Sequence, residues 1–180
     1  VPEDYTILFL QGGASTQLYM TALNLMKPGE RDDFLDAGGW SKKAVVEAKR
    51  VGGANVIWSG SENGFRSVPN AGEYAVSEDS VYVHYTSNNT LMGTQYHDLP
   101  DSGGKPRVLD ASSDIAGVPL DVSAHDLIYA GAKKNLRPSG VPLVIRSPCA
   151  IAPTQENPEA GRLPTMRDSH CPVHHPAAAA

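Results

Sequence analysis

Cysteine is scarce in this sequence, which has only Cys149 and Cys171 among 180 residues. Neither belongs to a CxxC pair, and two cysteines do not make a disulfide framework. A small secreted domain held together by disulfide bonds is therefore disfavoured. We expect a reducing, cytoplasmic compartment.

Long apolar runs and an excess of positive charge are also missing. No stretch approaches the roughly 20 apolar residues that cross a bilayer. No basic residue precedes the apolar part of the N-terminal VPEDYTILFLQGG, unlike in a signal peptide. The formal net charge of −5 argues against nucleic acid or an anionic membrane surface as a partner. The remaining composition, 41% hydrophobic and 19% charged, is typical of a globular domain.

Strand and helix patterns alternate over residues 1–146. Apolar, β-rich runs predict strands at residues 5–10, 34–37, 55–59, 81–85, 107–110, 126–130 and 141–145. Amphipathic patterns predict helices over residues 15–26 and 42–51, the second with Ser41 as its N-cap. This alternation indicates a three-layer α/β fold with a mainly parallel sheet and flanking helices. Ligands of such sheets bind at the carboxyl ends of the strands.

Residues 147–180 have a different character. Six prolines occur there, and no helical or strand period is sustained. We expect one domain over residues 1–146, followed by an irregular or disordered tail. His170, His174 and His175 lie near Cys171, but no second ligand pair follows at zinc spacing, so no metal site is expected.

Two glycines lie just after the first predicted strand, in the segment QGGAS that ends at Ser15. Glycines let the backbone approach a ligand closely, and the free N–H groups at a helix start attract an anion. The same residues also fit an ordinary tight turn. The segment matches neither a Walker loop nor a GxGxxG fingerprint.

An acid and a lysine follow two later strands. Asp110 ends RVLD and could pair with a cationic ring nitrogen, or could simply cap a turn. Lys134 follows the strand before GAKKN, where burial and the neighbouring Lys133 would lower its pKa and favour imine formation. The alternative is a pair of solvated lysines in a loop. Trp40 could stack on an aromatic cofactor or could belong to the core.

A set of segments carries a family resemblance across residues 4–145. They are FLQGGASTQL, GGWSKKAVVEAKR, VHYTSNNTLMGTQYHDLP, LDASSDI, PLDVS and LIYAGAKKNLRPSGV, in this order. Together they resemble the phosphoserine aminotransferases, class-V enzymes of fold type I that use pyridoxal 5′-phosphate (PLP). The resemblance implies that residues 1–146 are part of the cofactor-binding large domain.

The resemblance also implies a role for individual residues at the ring of the cofactor. Trp40 matches the aromatic residue that stacks on the pyridine ring, and Thr90 the hydroxyl near its 3-oxygen. Asp110 matches the acid that pairs with the ring nitrogen. Lys134 matches the Schiff-base lysine, which also moves a proton between the substrate Cα and the cofactor C4′.

The phosphate end of the cofactor is implied in the same way. Ala14 and Ser15 match the loop that binds the phosphate. Lys133 stands where the family usually has a glutamine that contacts the phosphate, and a lysine could still reach it. Arg137 replaces a glycine of the family. If that glycine needs a positive φ, the arginine costs on the order of 1 kcal/mol.

The implied reaction transfers the amino group of L-glutamate to 3-phosphohydroxypyruvate and gives O-phospho-L-serine and 2-oxoglutarate. It serves serine biosynthesis and, in many bacteria, pyridoxine biosynthesis, and the family acts as a homodimer. The segments of the family that hold the substrate anions, including a C-terminal small domain, have no counterpart in this sequence. We therefore expect little turnover from this chain, and the Pro/His/Ala-rich ending suggests a frameshifted reading.

Two alternatives stay open beside a working aminotransferase. One is a non-catalytic remnant of the PLP fold that binds cofactor or a partner only. The other, a sulfur-removing PLP enzyme, is disfavoured because the resembling segments contain no cysteine.

Overall fold

The computed structural model describes residues 1–136 and 140–151, which fold around a seven-stranded sheet and a small two-stranded one. The strands are β1 (Thr6–Phe9), β2 (Arg31–Asp36), β3 (Gly53–Ser59), β4 (Ser80–Thr86), β5 (Asn88–Asn89), β6 (Thr94–Gln95), β7 (Arg107–Asp110), β8 (Leu127–Gly131) and β9 (Pro142–Arg146). The helices are α1 (Ala14–Leu25) and α2 (Gly39–Ala48), with short 3₁₀ turns at Gly60–Asn63, Val122–Ala124 and Pro148–Ile151.

The large sheet has the order β1-β9-β8-β7-β4-β2-β3. Strands β3, β2, β4, β7 and β8 pair in parallel, while β9 runs antiparallel to both β8 and β1. The predicted α/β fold with a mainly parallel sheet and flanking helices is therefore confirmed. The parallel strands all end at one edge of the sheet, where α1 and α2 begin.

The core lies on both faces of the sheet. On one face, α1 and α2 pack against it through Leu18, Ala22 and Ala44, which are almost fully buried. On the other face, connecting segments supply residues such as Tyr74 and Tyr96. The two helices thus hold the sheet from one side and fix the positions of their own N-termini at its carboxyl edge.

The second strand is longer than its pattern predicts, starting at Arg31 instead of residue 34. Asp32 and Asp33 are fully buried within it, so they interrupt the apolar pattern without interrupting the strand. The Asp33 carboxylate accepts hydrogen bonds from the backbone and hydroxyl of Ser77 and from the Asn55 amide. These distant partners compensate its burial, and no local pattern reveals them.

The prediction that Ser41 caps α2 is wrong. The helix begins at Gly39, and Ser41 lies inside it, fully buried. Its hydroxyl donates to the Gly38 carbonyl and accepts from the Ala37 N–H, which ties the strand β2 exit to the first helical turn. Sequence rules favour serine as an N-cap. Here Gly38 is the N-cap and Gly39 the first helical residue, because neighbouring side chains pack too closely on both positions for a Cβ to fit.

Candidate active site

A cleft of about 240 Å³ opens at the carboxyl edge of the parallel strands. Strands β4, β7 and β8 end there, and helices α1 and α2 begin there. This is the edge at which ligands bind in open α/β sheets. Its lining brings together Gly12, Gly13, Ala14, Ser15, Trp40, Lys43, Thr86, Asn88, Asp110, Ser112, Ser113, Gly131, Ala132, Lys133, Lys134 and Gly140.

Lys134 follows β8 and holds its amine over the cleft. Its Nζ donates to Thr90 Oγ1 at 2.8 Å and lies 5.1 Å from the centroid of the Trp40 ring. Burial lowers the pKa of Lys134, the carboxylate of Asp110 opposes this, and the charge of Lys133 lowers the pKa further. A lowered pKa increases the share of neutral amine, the form that attacks carbonyl carbon.

Asp110 is the last residue of β7 and is only 4% exposed. Its Oδ1 accepts two hydrogen bonds from Ser112, one from the backbone N–H at 3.0 Å and one from Oγ at 2.6 Å. Burial raises the pKa of Asp110, while the two bonds from Ser112 and the charge of Lys134 lower it. The carboxylate would therefore stabilise a cationic ligand atom in this part of the cleft.

Ser112 is a site residue that sequence reasoning missed. Besides its bonds to Asp110, its Oγ accepts a hydrogen bond from the Gly131 N–H at 2.9 Å. Ser112 thereby joins the end of β7 to the end of β8, and so fixes the acid relative to the loop that bears Lys134. The signal in the sequence is the spacing D-x-S, in which an aspartate bonds the backbone two residues on.

The start of α1 forms the anion-binding wall of the cleft. Gly13 is its N-cap, no side chain caps the helix, and the first turn has no acidic residue. The N–H groups of Ala14 and Ser15 have no carbonyl one turn earlier, so they are free to bind an anion. A Cβ at Gly131 would lie 2.9 Å from the Ala14 Cβ, so glycine lets β8 end directly against this helix start.

Trp40 enters the cleft from the first turn of α2. The fully buried Asn89 accepts a hydrogen bond from the Trp40 N–H at 3.4 Å and donates to Ser41 Oγ at 3.1 Å. A Cβ at Gly38, whose φ is +149°, would lie 2.7 Å from the Asn89 amide carbon. Asn89 can reach the helix start only because residue 38 is glycine. Lys43 Nζ lies 4.5 Å from the Trp40 ring centroid.

The family model of aminotransferase class V matches residues 1–162. The chain belongs to the class-V aminotransferases. It is 48% identical over 145 residues to phosphoserine aminotransferase of Hahella chejuensis, which covers 81% of this chain and 40% of that protein. The corresponding enzyme of Alkalihalobacillus alcalophilus is 43% identical over 166 residues, covering 92% of this chain and 45% of that protein.

Solved structures of phosphoserine aminotransferases share the fold. Phosphoserine aminotransferase of Bacillus circulans subsp. alkalophilus aligns with a TM-score of 0.83 at 41% identity, covering 92% of this chain and 44% of that one. The PLP-bound phosphoserine aminotransferase of Trichomonas vaginalis aligns with a TM-score of 0.75 at 31% identity, covering 83% and 42%. The chain thus spans less than half the length of these relatives.

The structure brings all seven predicted site residues of this class-V chain to one place. Six of them line the cleft, and the seventh, Thr90, reaches it through its bond to the Lys134 amine. Arg137 lies outside the described residues. Sequence reasoning also missed Lys43, Thr86 and Asn88, which line the cleft, and Asn89, which accepts the Trp40 N–H bond from 49 residues away along the chain.

Two features are absent from residues 1–136 and 140–151. No helix there is long and apolar enough to cross a membrane. No group of three or more histidine, cysteine or acidic side chains there is arranged to hold a metal ion. Cys149, the one cysteine within that part, is exposed.

Proposed function

We propose that residues 1–146 carry the PLP half-site of an aminotransferase. One observation carries the proposal: the Lys134 amine and the Asp110 carboxylate converge on a single cleft that also contains an aromatic ring and an uncapped helix start. A lysine, an acid, an aromatic face and an anion site are the four features that an aldehyde cofactor with a pyridine ring and a phosphate requires.

The chemistry of these donors fits the cofactor group by group. The N–H groups of Ala14 and Ser15, with the Lys133 ammonium, would hold the phosphate. The carboxylate of Asp110 would pair with the ring nitrogen, and Trp40 would stack on the ring. When bound, the cofactor supplies an electron-withdrawing ring that stabilises negative charge on the substrate α-carbon.

The residues of the chain then have distinct tasks. Lys134 would hold the cofactor covalently through Nζ and, with its amine free, would take up and return the proton at the substrate α-carbon. Thr90 orients that amine through its 2.8 Å hydrogen bond and would lie near the 3-oxygen of the ring. Asp110 must be ionised to keep the ring nitrogen protonated, and the two Ser112 bonds favour that state against burial.

The substrates we propose are L-glutamate and 3-phosphohydroxypyruvate, with O-phospho-L-serine and 2-oxoglutarate as products. The relatives named phosphoserine aminotransferase at 43–48% identity support this choice. Serine biosynthesis, pyridoxine biosynthesis, a cytoplasmic location and a homodimeric assembly are proposed on the same basis. The alternative function is cofactor binding without turnover.

A binding experiment tests the cofactor site. Protein-bound PLP gives a visible absorption band that shifts when the cofactor joins a lysine. We expect the shifted band with the parent chain and with Lys133→Ala, although Lys133→Ala should bind PLP with lower affinity. Lys134→Ala should not give the shifted band. An unchanged band in Lys134→Ala would contradict the assignment. A coupled assay for 2-oxoglutarate formation then separates an aminotransferase from a chain that only binds cofactor.

A further inference from the structure

Thr86 has a buried hydroxyl that the proposed mechanism does not use. It is the last residue of β4, only 3% exposed, and it lines the cleft. Its Oγ1 has no hydrogen-bond partner among the described residues. Because an unpaired buried hydroxyl is costly and therefore rare, its presence here calls for a partner that forms in another state of the site.

The register of the sheet places that partner. Thr86 pairs with Asp110 across the parallel strands β4 and β7. Side chains in register on neighbouring strands lie on the same face of the sheet, roughly 5 Å apart at their Cβ atoms. The Thr86 hydroxyl is therefore one side-chain rotation from the Asp110 carboxylate.

One oxygen of the Asp110 carboxylate, Oδ2, accepts no hydrogen bond from the described residues. Both donors of Ser112 bind Oδ1, and no described residue donates a hydrogen bond to Oδ2. A second oxygen without a donor leaves the anionic form of a buried acid poorly stabilised. A hydroxyl bound to Oδ2 would still leave a lone pair of that oxygen for a ligand.

We propose that Thr86 is a positioning residue that donates its hydroxyl hydrogen to Asp110 Oδ2 when Asp110 is ionised, and so holds the carboxylate ready for a cationic ring nitrogen. This inference deepens the proposed function, on which its relevance to the cofactor rests. The bond itself lies within the chain and needs no cofactor to form.

Several other groups face Asp110 and set the background for its titration. Lys134 is the cation and Asp114 the nearby anion. Tyr129 on β8 is the in-register neighbour, and its hydroxyl meets His84 Nε2 at 2.8 Å. Burial lowers the pKa of His84 to about 3, so this ring is neutral and adds no charge in the working range.

The test measures the pKa of Asp110 by NMR in the full 180-residue chain without cofactor. Aspartate is labelled at the carboxyl carbon, and Asp110→Asn identifies the Asp110 signal. Thr86→Val keeps the shape and removes the hydroxyl, and we expect it to raise the pKa of Asp110 by about one unit. Thr86→Ser keeps the hydroxyl and should restore the parent value. Asp110 pKa values equal in parent and Thr86→Val would overturn the proposal, since a hydroxyl that served only a ligand would leave them equal.

A matched control and a second readout complete the design. Thr94 is another buried threonine, and its hydroxyl already donates to the Ala37 carbonyl at 2.8 Å, so Thr94→Val should leave the pKa of Asp110 unchanged. The dissociation constant for PLP should rise about tenfold in Thr86→Val and recover in Thr86→Ser. A parent chain that binds no PLP would refute the proposed function, whereas the NMR result would still decide the role of Thr86.

Discussion

At the scale of single residues, Ser112 joins the acid of the cleft to the strand that precedes Lys134. Ser112→Ala removes the donor to Asp110 Oδ1 and the acceptor of the Gly131 N–H. Two buried polar groups then lose a partner, so we expect the free energy of unfolding to fall by about 1–3 kcal/mol. Urea denaturation measures this change, and the pKa of Asp110 should rise with it.

The neighbouring serine provides the comparison. Ser113 Oγ donates its hydrogen bond to the Asn88 carbonyl at 2.7 Å instead of to Asp110. Ser113→Ala should therefore cost less stability and leave the pKa of Asp110 at the parent value. If both alanine variants moved that pKa equally, the role assigned to Ser112 would be wrong.

Asp32 makes stability depend on pH. It is fully buried near the start of β2, and burial raises its pKa from 3.8 to about 8, against the opposing effect of the nearby Tyr82 hydroxyl. Below pH 3.8 the group is protonated in both states. Between pH 3.8 and 8 the Asp32 carboxyl is ionised mainly in the unfolded chain. Its ionisation therefore lowers the free energy of unfolding as the pH rises, and this destabilisation becomes constant above pH 8.

Replacing this acid should remove its contribution to the pH dependence of stability. The free energy of unfolding of Asp32→Asn minus that of the parent chain should increase by about 3 kcal/mol between pH 4 and pH 7. Urea denaturation at a series of pH values measures it. Asp33→Asn is the control, since that carboxylate accepts three hydrogen bonds and its loss should destabilise the chain. A parallel pH profile for Asp32→Asn and the parent would contradict the account.

At the scale of elements, the contact between the end of β8 and the start of α1 shapes the anion site. An alanine Cβ at Gly131 would lie 2.9 Å from the Ala14 Cβ and 3.1 Å from its nitrogen. We expect Gly131→Ala to lower the free energy of unfolding by about 1–3 kcal/mol and to weaken binding of inorganic phosphate. Calorimetry measures both effects.

A second glycine separates this steric effect from a general cost of alanine. A Cβ at Gly13 would meet no protein atom within 4 Å, and Gly13 has an ordinary extended φ of −144°. Gly13→Ala should therefore leave the free energy of unfolding nearly unchanged. Equal destabilisation by both variants would show that the close approach at Gly131 does not matter.

The sequence predicts the elements well where their pattern is local. Apolar runs locate the parallel strands, and since such strands end at one edge of the sheet, the grouping of Asp110 and Lys134 follows from their positions at strand ends. The start of α2 could not be predicted in this way. It depends on Asn89 packing against Gly38, a contact between residues far apart in sequence.

Single site residues, too, could be predicted only where the signal is local in the sequence. Asp110 and Lys134 could be proposed from strand-end chemistry together with the family resemblance. Thr86 could not, because its importance depends on register with β7 and on an unpaired hydroxyl, which only the folded chain shows. The division of the chain into residues 1–146 and a tail stays a prediction.

At the scale of the whole molecule, the cleft holds cations but no arginine among the described residues. Lys43, Lys133 and Lys134 line it, and none offers the bidentate fork that matches a substrate carboxylate. We expect the 180-residue chain to bind PLP but to transaminate at least about 100-fold more slowly than a full-length relative assayed beside it. A rate equal to that of the relative would contradict this expectation.

The most direct test of the account is to trap the lysine that holds the cofactor. The 180-residue chain is incubated with PLP, reduced with borohydride, digested and mapped by mass spectrometry, alongside Lys133→Ala and Lys134→Ala. The account predicts that the reduced adduct lies on Lys134 in the parent chain and in Lys133→Ala, and is lost in Lys134→Ala. An adduct on another lysine, or none in the parent chain, would contradict the central claim.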